Sequence, residues 1–260
     1  MKLAASNIGW TAEQDPTVWQ LLGELGYQGL EIAPTRIFPE EPYRQLDEAI
    51  AFEQKMLCTY GLTIPSMQSI WYGQTGNLFV PEQAQELCEY TRQAIDFAYA
   101  CQCGNLVFGC PRNRNIPEGH TAAEADDFFA QLGCYAVEND TVLALEANPP
   151  LYNTNFLNTT AEAFALAEKL ANPGVKVNLD VGTMLANGET VDQLTGKIGL
   201  VNHVHISEPG LAPIQKRTLH RELAALLRKE GYEGYVSVEM KAADLDTLRS
   251  CLTYVAEVFA

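Results

Sequence analysis

Hydrophobic positions along this chain follow two rhythms. Short apolar runs bounded by Gly, Pro or Asn alternate with longer stretches whose apolar residues recur at helical spacing, a pattern that predicts repeated strand–helix units and a parallel sheet. Read in order, the predicted strands are KLAASNIG, GLEIAP, LTIPSMQSI, NLVFGC, TVLALEAN, VKVNLDVG, VNHVHISE and YVSVEMK. A helix from Pro16 to about Leu25 follows the first, one from about Glu41 to Gly61 the second, and one opened by Pro81 and running to about Cys101 the third. The later helices are expected at AEADDFFAQLGCYAVE, TAEAFALAEKLA, a shorter one around ETVDQLTGKI, LHRELAALLRKEG and ADLDTLRSCLTYVAEVF.

Eight such units in a chain of 260 residues match the size and order of a closed parallel barrel, an α/β fold of the (β/α)8 TIM type. One domain over residues 1–260 is expected, since no linker or low-complexity tract interrupts the pattern. An open doubly wound sheet would carry a glycine-rich turn after its first strand, and ASNIGW has none.

Strand parity then singles out four residues. In VNHVHISE, alternation puts His203, His205 and Ser207 on one face and Val204 and Ile206 on the other. Glu146, Asp180 and Glu239 occupy matching places near the ends of their own strands, flanked by Leu145, by Leu179 and Val181, and by Val238 and Met240. Three carboxylates and one imidazole are therefore expected at the C-terminal mouth of the barrel, where such folds place chemistry. One layer down, Ala144, Asn178, His203 and Ser237 would leave room for that layer and hydrogen-bond to it.

Composition narrows the field. A net charge of −16 disfavours nucleic acid, whose binding needs a basic footprint. No apolar run reaches the length of a membrane span, and MKLAASNIGW turns polar too early for a signal peptide, so a cytoplasmic protein with no membrane or nucleic-acid partner is expected. Seven scattered cysteines fit reduced thiols, and Cys101 and Cys103 lack the spacing of a redox or zinc pair.

Clustered carboxylates repel unless a positive charge sits among them or they take up protons. One divalent ion is the simplest answer. Carboxylate oxygens with one imidazole suit Mn²⁺ or Mg²⁺, with Co²⁺ or Zn²⁺ admissible, and four protein ligands would leave coordination positions for adjacent substrate oxygens. A hydroxyketone held there has its neighbouring C–H acidified, and a carboxylate can take the proton. Glu146 and Glu239 approach from different strands, so one could remove a proton and the other return it on the opposite face. His205, nearer the strand end, is the expected ligand, with His203 behind it; the reverse is the alternative.

The four residues in the contexts LALEAN, NLDVGT, HVHISE and YVSVEM resemble the xylose isomerase-like barrel superfamily of sugar phosphate isomerases and epimerases, and are close in pattern to ketose 3-epimerases. The resemblance spans essentially the whole chain in unit order. It implies one divalent metal on Glu146, Asp180, His205 and Glu239, the two glutamates as the acid–base pair, and an enediolate route on a ketose or related polyol. Two positions depart from the epimerase pattern: Thr183 stands where a substrate-binding His is usual, and Leu211 where an Arg is usual. The pocket is therefore expected to differ from that of a tagatose or psicose epimerase.

Other strand-end residues outline a substrate pocket. Glu31 and Arg36 could hold substrate hydroxyls, or Glu31 could pair with a core Lys or Arg. Arg112 and Arg114 could grip a hydroxyl, carboxylate or phosphate through their planar forks; the alternative is a solvated loop. Trp71, beside Tyr72, could stack on a sugar or simply pack its loop. His203, Glu208 and His220 complete the expected contacts, with Lys216 and Arg217 near His220. Competing readings are a dehydratase related to inosose dehydratases, which would expel a neighbouring hydroxyl as water, an apurinic-site endonuclease, which would need more histidines than the four present, and a non-catalytic sugar-binding barrel. A homo-oligomer is left open.

Overall fold

The structure, a computed structural model, describes residues 1–260. Seven short strands make one parallel sheet: β1 (Lys2–Ser6), β2 (Gly29–Glu31), β3 (Leu106–Phe108), β4 (Leu143–Glu146), β5 (Val175–Asp180), β6 (Val201–Ile206) and β7 (Tyr235–Val238), in the order β2-β1-β7-β6-β5-β4-β3. Around them run α1 (Asp15–Glu24), α2 (Pro34–Ile37), α3 (Leu46–Lys55), α4 (Pro81–Ala100), α5 (Asp126–Glu138), α6 (Thr160–Leu170), α7 (Val181–Asn187), α8 (Thr218–Lys229) and α9 (Leu245–Phe259).

The expected third strand is the first departure. LTIPSMQSI forms no ladder, yet its extended backbone pairs singly with both free edges, Thr63 with Gly29 and Met67 with Ile32 on one side and Met67 with Leu106 on the other. Leu30 N donates to Thr63 O, Ile32 N to Ser66 O and Val107 N to Met67 O, so this segment is the eighth stave and closes the ring. Pro65 explains the irregularity: it has no N–H to give, which breaks a ladder in mid-strand.

The second departure follows β5. The helix begins at once, at Val181, and the stretch around ETVDQLTGKI holds only 3-10 turns at Val191–Leu194 and Ile198–Leu200. Asp180 caps α7 by accepting the Thr183 N–H, and Gly188, at φ +66°, ends it. A cap residue is a strong helix start, but here it is also a strand's last residue, and the strand pattern hid it.

Outward strand positions such as Leu145, Leu179, Val204, Ile206 and Val236 are fully buried and merge with the helices' apolar faces in one core. The interior of the ring is instead polar. Register sets Ser6 beside Glu31, Glu146 beside Asn178, Asn178 beside His203, Asp180 beside His205, and His205 beside Ser237. All seven cysteines are unpaired.

Candidate metal centre

Glu146 and Asp180 close their strands, His205 is next to last in β6, and Glu239 follows β7 directly, its N–H bonded to Ile206 O at 3.0 Å. One ligand atom from each of the four lies within 4.8 Å of the others. His205 turns Nδ1 towards the acids, 3.0 Å from Glu146 Oε1 and 3.4 Å from Glu239 Oε2.

Neighbours hold each carboxylate. Asn178 donates to Glu146 Oε1 at 2.7 Å and Asn148 to Oε2 at 3.1 Å. Asp180 accepts from Thr183 N at 2.7 Å and from the Ser207 hydroxyl. Two glycines make the room: a Cβ at Gly109 would stand 2.7 Å from Glu146 Oε2, and one at Gly182 the same distance from Ser207 Oγ.

The electrostatics favour a cation. Burial, then the Glu146 charge, pushes Asp180 above the ordinary carboxylate value. Burial outweighs the pull of His205 to raise Glu239 to about 7, and Glu146 and Asp180 add to the rise. Burial opposes charge on His205, but Glu31, Glu239 and Glu146 overcome it and hold the ring protonated well above its ordinary value. The acids are thus balanced only by protons and one imidazolium, the arrangement a divalent ion would relieve. Three hard oxygens and one imidazole nitrogen fit Mn²⁺ or Mg²⁺.

Above the cluster is a cavity of about 170 Å³ lined by Gln68, Ser69, Asn148, Tyr152, Ser207, Glu208 and Leu211 among others, with no Lys, Arg or His on its wall. Ser69, Cys110, Pro111, Tyr152 and Leu211 also border a wider outer vestibule of about 800 Å³.

Of the expected substrate contacts, only Glu208 borders the inner cavity, and Arg217 claims both of its oxygens, at 2.7 and 2.5 Å. Trp71 and Arg112 border the vestibule; Arg112 is exposed, while Trp71 is buried, donating to Thr91 Oγ1 and packing edge-on against Phe108. The remaining five border neither cavity. Arg114 is fully buried and spends its donors on Glu146 O and Asn148 Oδ1, both at 2.9 Å, tying the loop after β3 to the end of β4. Arg36 pairs with Asp15 at 2.7 Å. His220 is buried against Tyr254. Glu31 and His203 lie under the cluster, and Glu31 pairs with two imidazoles where a core Lys or Arg was the alternative. Reasoning from sequence missed Asn148 and Tyr152. Asn148, two residues past Glu146, shares its parity and was within reach of the same argument; Tyr152 sits in a loop that carries no such signal.

The model of a family described as xylose isomerase-like TIM barrel matches residues 19–253. A relative from Mus musculus, named "Putative hydroxypyruvate isomerase", is 24% identical over 261 residues, covering 91% of this chain and 88% of its own. A crystal structure of D-psicose 3-epimerase in the presence of D-fructose superposes with a TM-score of 0.78 at 18% identity, covering 100% of this chain and 99% of the other. The E. coli 3-keto-D-glucoside 4-epimerase, in its apo form, gives 0.76 at 19%, covering 99% and 98%. At such identities the structural likeness speaks for the fold alone. No helix is long and apolar enough to cross a membrane.

Proposed function

This chain belongs to the xylose isomerase-like TIM-barrel family, and from that premise we propose that it is a sugar isomerase or epimerase, dependent on one divalent metal ion, that moves a proton beside the carbonyl of a small ketose or related polyol. The observation that carries the reading is the convergence of Glu146, Asp180, His205 and Glu239 within 4.8 Å under a cavity.

When bound, the metal ion would polarise the substrate carbonyl and lower the barrier to losing the neighbouring C–H proton. Glu146, Asp180, His205 and Glu239 would hold it. The chain's own residues then move the proton. Glu239, on the cavity wall with its carboxylate 3.4 Å from His205 Nδ1, is one carboxylate placed to take or give it. Glu146, three strands away in the sheet order, is the second carboxylate; removal by one and return by the other inverts the carbon or shifts the carbonyl through an enediol. Asn148 and Asn178 hold Glu146 in place for that step.

Substrate charge and size follow from the walls. With acids at its floor and no cation on its wall, the inner cavity favours a neutral polyhydroxy carbonyl over a phosphorylated one. Hydroxypyruvate, named for the mouse relative, is the anionic case to set against it.

The test is incubation of Mn²⁺-loaded protein in deuterated water with ketoses, hydroxypyruvate and inososes, read by mass and NMR. Deuterium entering carbon without loss of water is expected for at least one ketose. Glu146→Gln and Glu239→Gln should each cut the rate by about 10²-fold or more. Loss of water would instead identify a dehydratase, and undiminished exchange in both variants would remove the acid–base pair.

A further inference from the structure

Below the four-residue cluster lies a buried group that the proton transfer does not use. Glu31, at the end of β2, is fully buried, and its Oε2 stands 2.9 Å from His205 Nε2 and 2.9 Å from His203 Nε2. No Lys or Arg lies within ion-pair distance, and Oε1 has no hydrogen-bond partner. Since β2 and β6 are not neighbours in the sheet, the carboxylate reaches across the interior of the barrel. A buried carboxylate without a fixed cation is strongly disfavoured by its lost hydration, so its place under this ring calls for a reason beyond packing.

We infer that Glu31 is a positioning residue for His205, which rests on the reading of the cluster as a divalent-metal site. A neutral imidazole has one N–H and one lone pair. Glu31 can only accept when ionised, so the hydrogen on the ring falls at Nε2 and the lone pair at Nδ1, the atom facing Glu146 and Glu239. His203 stands edge-on to His205, with ring centroids 5.3 Å apart, and blocks the ring from swinging away. Carboxylate and neighbouring ring together fix the tautomer and the rotation that aim a nitrogen at the cation, the part that a hydrogen-bonded partner plays for a metal-binding histidine.

The experiment compares Mn²⁺ binding by titration calorimetry in the wild type, Glu31→Leu and the near-isosteric Glu31→Gln. Alongside it, imidazole ¹⁵N–¹H spectra of the Mg²⁺-loaded proteins report which nitrogen of His205 carries hydrogen. The Leu variant should bind about 10- to 100-fold more weakly and lose the hydrogen-bonded Nε2–H signal. The Gln variant, which keeps an acceptor without the charge, should fall between; if the Leu variant does not fold, the Gln variant alone must show weaker binding. Wild-type affinity within twofold in a folded variant, or an unchanged Nε2–H signal in Glu31→Leu, overturns the assignment while leaving the metal site standing. Failure of the wild type to take up Mn²⁺ or Mg²⁺ overturns the metal reading and the assignment together.

Discussion

A single missing side chain, at Gly109, lets Glu146 reach the cavity floor. The backbone there is ordinary, with φ outside the left-handed region, so alanine strains nothing locally; its methyl group would nevertheless meet Glu146 Oε2 at 2.7 Å and Asn148 Oδ1 at 3.5 Å. Gly109→Ala should therefore turn the carboxylate aside and lower the deuterium-exchange rate by about 10²-fold, the cost of misplacing a reacting group by about an ångström, while melting within a few degrees of wild type. Unchanged exchange would show that Glu146 has slack that the distances deny. At this scale the sequence was legible where parity applied, because a strand's alternation assigns each residue a face. Arg112 and Arg114 share a loop with no such period, and nothing in CPRNRN tells which is fully buried on Glu146 O and which is exposed.

Among the elements, β5 and α7 meet at a residue with two duties. Asp180 caps the helix through Thr183 and offers a carboxylate to the cluster. Asparagine caps nearly as well as aspartate, so Asp180→Asn should hold α7 and leave stability within about 1 kcal/mol of wild type, yet lose most Mn²⁺ affinity. Asp180→Ala should lose both, at an added cost of about 0.5–2 kcal/mol. Equal melting of the two variants would deny the cap its role. The same junction explains why this helix was misread: its start coincides with the end of a strand whose apolar rhythm continues into Val181. The third stave keeps the place that its strand composition predicts, but Pro65 in LTIPSMQSI withholds a ladder bond, and single bridges to β2 and β3 hold it in the ring. Strand–helix order elsewhere was legible because each unit repeats the same switch of period.

For the molecule as a whole, the cluster ties stability to pH. Asp180 and Glu239 hold protons more tightly folded than unfolded, so between the ordinary carboxylate range and pH about 7 the folded state binds more protons and stability falls as pH rises. His205 acts with the same sign: its contribution is complete below the ordinary imidazole value and is lost as pH climbs through its raised folded value. Glu31 runs the other way, burial being outweighed by the two imidazoles that hold it low, but its contribution is lost only on acidification. The chain's net charge of −16 adds repulsion in the same direction as the cluster. His203 and His220, held neutral by burial, oppose this slope below the ordinary imidazole value, so metal-free protein should melt at progressively lower temperature from about pH 6.5 to about pH 8. A divalent ion competes with those protons for the same oxygens and nitrogen, so its stabilisation, about 2.7 kcal/mol at a hundredfold excess over Kd, should widen across that range. Calorimetric melting with and without Mn²⁺ at several pH values reads both slopes. Curves that keep a constant separation would mean that the ion binds somewhere other than among Glu146, Asp180, His205 and Glu239.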